Sequence, residues 1–228
     1  MTLDDRNTIV ANTTMMADDI FRTIGKTNEA ILLLVKNLYR YGEKLTRSIE
    51  DEKGITDKIA CKKGCSHCCY AQVSLTPPEA FFIVQFIREN YSLRKKDQLV
   101  KRVSKNIRLT KDKSLDERVE VWHQTPCIFL EDGICSIHEV RPFICRAWHS
   151  LSAEQCLNAL NSGDKEAEID TTPYRNTIYG AIRQGLSEAT DHIGCESDPI
   201  IITHAIKVIL NHPAPEAAWL SGETLFGS

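Results

Sequence analysis

"CKKGCSHCCYAQVSLTPPEAFFIVQFIREN", residues 61–90, places two kinds of chain side by side. Its first nine residues carry Cys61, Cys65, Cys68 and Cys69 in the pattern C-x3-C-x2-C-C. Short spacings of this sort let a loop wrap an ion so that successive thiolates converge on it, and Gly64 gives the backbone freedom to turn. The second half reads as a helix that starts at once. Thr76 is an N-cap residue, Pro77 suits the first turn, and Glu79 stands at the capping-box position. An irregular cysteine loop feeding straight into an apolar helix sets the expected architecture as mainly α, with the cysteines at an irregular centre.

Toward the N-terminus, Ile31, Leu34, Val35, Leu38 and Leu45 recur at helical spacing and predict a long amphipathic helix over 28–50. Toward the C-terminus a basic helix is expected over 93–108 and a shorter one over 115–123. The segment "TPCIFLEDGICSIHEVRPFICRAWH", 125–149, changes character, because its Asp132-Gly133 turn between two apolar runs predicts a small hairpin. Ser152 then caps a helix, Thr172-Pro173 opens another, and Asp198-Pro199 opens the last, which Asn211 and Pro213 end. The expected fold class is a mainly α, single helical domain with a cysteine-rich irregular core and a small β-hairpin. It divides into an N-terminal helical region over 1–59, a metal-binding core over 60–150, and C-terminal helices over 151–228 that pack on the same domain.

A chain of 228 residues, 42% of them hydrophobic, can bury a core without covalent staples, so its nine cysteines are not a substitute for one. The N-terminus shows neither a basic n-region nor an apolar h-region, and a cytoplasmic location follows as the expectation. Thiols stay reduced there, and clustered cysteines read as metal ligands or redox groups rather than disulfides. No apolar run approaches the length of a membrane span, and a net charge of −3 gives no general attraction to nucleic acid or membrane. The basic stretch 93–113 and the acidic stretch 163–170 read as solvated surface. The alternative for the basic stretch is a docking surface for an unidentified protein partner.

Cys127, Cys135 and Cys145 form a second block, C-x7-C-x9-C. Adjacent side chains diverge in extended chain, so one of Cys68 and Cys69 is expected to join the local thiols while the other reaches toward this second block. Two countings stay open. Seven thiolates and one histidine, from His67, His138 or His149, would fill two four-coordinate zinc sites; alternatively, four thiolates would hold one iron–sulfur cluster. Cys156, on a helix face with Leu157 and Leu160, and Cys195, in a loop, read as ordinary residues. Arg141 and Arg146 flank Cys145 and are read either as cations that offset a negatively charged thiolate centre or as members of surface ion pairs. No phosphate-binding loop, nucleophile elbow or zinc-protease motif is present, so catalytic residues are unassigned and the cysteines must carry the functional reading.

The blocks "CKKGCSHCC" (61–69) and "PCIFLEDGICSIHEVRPFICRAWH" (126–149) resemble the bacterial YkgJ-type CxxCxxCC cysteine-cluster family of zinc- or iron-chelating domains. The resemblance covers roughly 60–150. It implies metal binding by Cys61, Cys65, Cys68, Cys69, Cys127, Cys135 and Cys145. A distantly similar branch, the flagellin lysine N-methylases, uses such a cluster in an S-adenosylmethionine-dependent enzyme. Three functions follow as expectations: a cytosolic metal-binding protein holding an iron–sulfur cluster, or zinc, with a redox role; protein lysine methylation; and a non-catalytic zinc-stabilised interaction module.

Overall fold

Why the chain can bury two separate apolar faces is visible first in its two long N-terminal helices. α1 (Leu3–Ile24) opens on a reciprocal capping box between Thr2 and Asp5. α2 (Asn28–Lys53) is capped by Thr27 and ends on Gly54 in the left-handed conformation that glycine adopts without strain. The apolar stripe read from the sequence lies buried along α2 at Ile31, Leu34, Val35 and Leu38. The computed structural model describes residues 2–164 and 166–227. The chain is 66% helical, and with ten α-helices and only two two-stranded sheets among these residues it is a mainly α single domain.

α3 (Pro77–Asn90) begins where the sequence placed it, with the Thr76–Glu79 capping box formed. α4 (Leu93–Thr110) and the short α5 (Leu115–Val119) follow, and the end of the helix expected over 115–123 is instead a tight turn at Trp122–Gln124. The predicted hairpin is present as β2 (Leu130–Glu131) and β3 (Ile134–Cys135), with Leu130 opposite Cys135 and Glu131 opposite Ile134. Asp132 and Gly133 between them both have positive φ, as a two-residue turn of this hand requires.

α6 (Phe143–Ala147), α7 (Ala153–Ser162) and α8 (Pro173–His192) carry the chain back across the molecule. The last predicted helix starts later than its Asp198-Pro199 signal. Ile200 and Ile201 form β4, antiparallel to β1 (Ser74–Leu75), and α9 (Ile202–Asn211) begins only after that pairing. β-branched residues suit a strand once a partner is available, and the partner here lies far away in sequence. α10 (Pro215–Leu220) closes the fold.

The buried side chains form two clusters. One joins α3, α4, α9 and α10 with the hairpin segment, around Phe81, Phe129, Ile87, Leu99, Ile206 and Trp219. The other joins α1, α2, α6 and α8, around Leu34, Leu38, Phe143, Ile178 and Ile182. α1 lies so close on α8 that a Cβ at Gly185 would stand 2.7 Å from the Val10 carbonyl oxygen and 2.8 Å from Thr13 Cβ. Trp148 and Phe82 pack against both clusters.

Glu79 locks the two halves of this arrangement. It is fully buried, and its Oε2 accepts from the Thr76 backbone N–H at 2.8 Å and hydroxyl at 2.9 Å. Its Oε1 accepts from the Phe143 N–H at 2.7 Å. One carboxylate therefore caps α3 and fixes the start of α6, the helix that carries Cys145. Burial raises its pKa above the usual carboxylate range, and the hydrogen bonds from Thr76 and Phe143 oppose that rise.

Candidate metal centre

The first cysteine block is held by its own backbone. Cys65 N–H donates to Lys62 O and Cys69 N–H to Ser66 O, each at 2.9 Å, and His67–Tyr70 forms one tight helical turn. The block is then stitched to two distant segments. Ala60 N–H donates to Ser150 O at 2.9 Å, and Cys127 N–H donates to Cys69 O at 2.7 Å. The second bond sets the two cysteine blocks side by side.

Around this seam the thiols fall into two neighbourhoods. Cys61 and Cys65 lie within electrostatic reach of each other, of Cys68 and of Cys156. Cys127, Cys135 and Cys145 lie within reach of Cys68 and form the other group. Cys68 and Cys69 hydrogen-bond through their thiols, so the adjacent pair sits at the junction. The divergence expected of these two residues is not seen: their thiols meet each other, Cys68 lies within reach of both groups, and Cys69 contributes its carbonyl to the seam.

Two corrections follow. Cys156, read from the sequence as an ordinary helix residue, stands with Cys61 and Cys65 because α7 packs against the His67–Tyr70 turn. His149 is not free to bind a metal. Its Nε2 accepts from the Thr172 N–H at 3.1 Å, which leaves Nδ1 to donate to Ala147 O at 3.1 Å. Cys195 is buried in the first apolar cluster, and no other cysteine is among the groups that act on it, as for an ordinary residue.

The sulfurs are surrounded as anions are. Backbone N–H groups donate to Cys61 from Ser150 at 3.3 Å, to Cys65 from His67, to Cys127 from Phe129 and to Cys135 from Ile137. Three of these donors lie two residues beyond the sulfur they serve, a local turn that presents an N–H to a thiolate. Each such bond favours the charged form. Burial acts in the opposite direction and prevails: it raises Cys61, Cys65, Cys135 and Cys145 above the usual thiol range and pushes Cys127 up to about 12. Cys68 rises too, chiefly through its hydrogen bond with the Cys69 thiol. Thiols so placed lose their protons only to a cation that compensates the buried charge.

Arg141 supplies part of that compensation. The half-buried guanidinium acts electrostatically on Cys68, Cys135 and Cys145; one terminal nitrogen meets His138 Nε2, its Nε is buried with no hydrogen-bond partner, and no carboxylate ion-pairs with it among the described residues. A partly desolvated cation without a carboxylate gains from an anionic centre beside it. Arg146 belongs to neither of the roles the sequence left open for it. It is buried, not superficial, ion-paired with Glu43 and stacked over Tyr39 at 4.0 Å, where it ties α6 to α2.

The donor set fits a soft, thiophilic metal: cysteine sulfurs with N–H donors and a counter-charge. The thiols gather without forming a finished polyhedron; among the described residues no three His, Cys, Asp or Glu side chains converge tightly enough to hold one ion.

Fold and site together define a helical protein organised round a cysteine cluster. Residues 60–166 match the family model CxxCxxCC, "Putative zinc- or iron-chelating domain", the family that the two cysteine blocks resemble. No curated protein and no solved structure matches the chain. The matched segment extends past Cys156 and so takes in the eighth clustered cysteine. Among the described residues no helix is long and apolar enough to cross a membrane.

Proposed function

We propose that this is a cytoplasmic iron–sulfur protein in which eight thiolates form two four-thiol sets joined at Cys68–Cys69. Cys61, Cys65 and Cys156 make up one set, and Cys127, Cys135 and Cys145 the other, each completed by one member of the adjacent pair. The observation that carries this reading is the gathering of both blocks and Cys156 around that pair, with backbone N–H groups aimed at four of the sulfurs. The inorganic centre, when bound, would supply one-electron redox chemistry; the chain's own part is to hold the sulfurs as anions and to set their charge environment through Arg141.

Iron–sulfur ligation is favoured over zinc because an adjacent cysteine pair fits poorly into two ordinary zinc knuckles and no histidine stands at a fixed ligand spacing from the cysteines. Anaerobic purification with analysis of iron, zinc and acid-labile sulfide tests the reading. Brown protein with iron and sulfide supports it. Colourless protein with two equivalents of zinc replaces it with a zinc-stabilised module.

A further inference from the structure

Charge is concentrated on α4 and the turn after it. Residues 93–113 hold nine Lys and Arg against two Asp, a charge of +7 in a chain whose net charge is −3. Much of the helix is already engaged. Leu99 and Val103 are buried in the first apolar cluster, and Lys95 and Arg102 both ion-pair with Glu131 of the hairpin, at 3.1 and 2.8 Å. What remains outward is a row of exposed cations, Arg94, Lys101, Lys105 and Arg108, whose spacings of seven, four and three put them on one face. The row is about 21 Å long.

No carboxylate ion-pairs with any of the four among the described residues. Like charges three and four apart on a helix repel, and exposed helices ordinarily interleave the two signs. α2 does so: its outward Lys36, Arg40 and Arg47 share one face with Glu29, Glu43 and Asp51. α4 has only Asp97 beside its row and keeps a repulsion that an opposing acidic surface would relieve. Two apolar residues border the row on the side opposite Lys95 and Arg102: Leu93 is 81% exposed and Val100 48% exposed. Exposed apolar side chains beside cations suit a protein surface, where they lose water together, and offer a phosphate backbone nothing to hold. A membrane is disfavoured because the apolar side of α4, at Leu99 and Val103, is already buried and cannot insert.

The position of the row bears on the thiols. Glu131 stands opposite Ile134, the neighbour of Cys135, and Asn106 Nδ2 donates at 3.1 Å to the carbonyl of Pro126, the neighbour of Cys127. A partner resting on α4 is thus held one element away from the second thiol group.

We infer that this face of α4 docks a partner protein through an acidic surface whose carboxylates meet Arg94, Lys101, Lys105 and Arg108 and whose apolar residues cover Leu93 and Val100. The inference stands whichever metal the thiols hold.

The test uses the full chain as isolated anaerobically. Its probe is a fluorescein-labelled peptide of repeated Glu-Glu-Leu, with repeated Gln-Gln-Leu as the uncharged counterpart. The acidic peptide is expected to bind in fluorescence anisotropy, more weakly as salt rises, and the uncharged one not to bind. Lys101→Glu, Lys105→Glu and Arg108→Glu together should weaken binding about tenfold or more. Lys36→Glu, Arg40→Glu and Arg47→Glu on α2 change the net charge equally and should alter binding by a factor under about two. Val100→Ser should weaken the peptide about twofold, because apolar contact is lost. Equal losses from the α2 and α4 sets, no binding of the acidic peptide, indifference to Val100→Ser, or tighter binding of a DNA duplex or a phosphatidylserine vesicle to the α4 row would each overturn the inference. Every substituted residue is exposed. Metal analysis of the same preparations reads the proposed centre separately: protein without zinc or iron refutes that reading and leaves the docking face to stand or fall on the peptide.

Discussion

Replacing Cys156 with serine is the sharpest challenge to the two-set arrangement, because nothing in its sequence spacing marks it as a ligand. It stands with Cys61 and Cys65, on the far side of the adjacent pair from Cys127, Cys135 and Cys145. Four-ligand thiolate sites bind metal with about 10–16 kcal/mol at neutral pH, so one ligand in four is worth roughly 2.5–4 kcal/mol. That corresponds to a loss of about 10²- to 10³-fold in affinity for the set that contains it. The other set keeps its four sulfurs. Cys156→Ser is therefore expected to retain about half the metal of the parent after dialysis against a competing chelator. Cys195→Ser is the comparator, since Cys195 is 4% exposed within the apolar cluster and no other cysteine acts on it. It should lose some stability and no metal. Metal analysis with a chelator titration reads both variants. Full metal content and unchanged affinity in Cys156→Ser would refute the assignment of that thiol and reopen the counting of ligands.

Four further outcomes are expected. Glu79→Gln turns one acceptor of a buried three-bond carboxylate into a donor that faces the Thr76 N–H, and should cost about 2–3 kcal/mol in urea unfolding; a change under about 0.5 kcal/mol would show that the carboxylate is not the lock between α3 and α6. Gly185→Ala drives a methyl into Val10 O and Thr13, and should destabilise by about 1–3 kcal/mol despite alanine's better helix propensity; a gain in melting temperature would contradict the close packing of α1 on α8. Arg141→Met should weaken metal binding about 10- to 100-fold and, in an iron–sulfur protein, lower the reduction potential, because a positive charge that favours the added electron is gone; equal potentials by voltammetry would remove Arg141 from the centre's charge balance. Stripping the metal with a chelator should lower the urea midpoint of the whole domain, since the thiols tie segments from both apolar clusters together; a midpoint that does not move would mean the folded scaffold stands without its metal.

What could be read from the chain in advance was whatever depends on neighbours close in sequence. The Thr76–Glu79 box, the Asp132-Gly133 turn and the stripe of α2 are local signals, and each is present. The misplaced start of α9 shows the limit. Asp198-Pro199 is a sound local start signal, but Ile200 and Ile201 are captured by Ser74 and Leu75 across the molecule. The same limit hid Cys156 and flattered His149. Cys156 joins the thiols through the packing of α7 on a distant turn, and His149 looked available until Thr172 engaged its ring nitrogen. Glu79 was read as a helix cap alone, because its bond to Phe143 exists only once α3 and α6 have met.

The backbone bond from Cys127 to the Cys69 carbonyl also bears on when the centre can be built. A ribosome delivers the first four cysteines well before the residues that complete their surroundings. Until Cys127 has emerged the seam cannot close, and until α7 has emerged Cys156 cannot take its place beside Cys61 and Cys65. During that interval Cys61, Cys65, Cys68 and Cys69 form an open loop of thiols that any passing soft metal or oxidant can reach. The proposed centre can therefore gain its full set of ligands only late in the chain's synthesis.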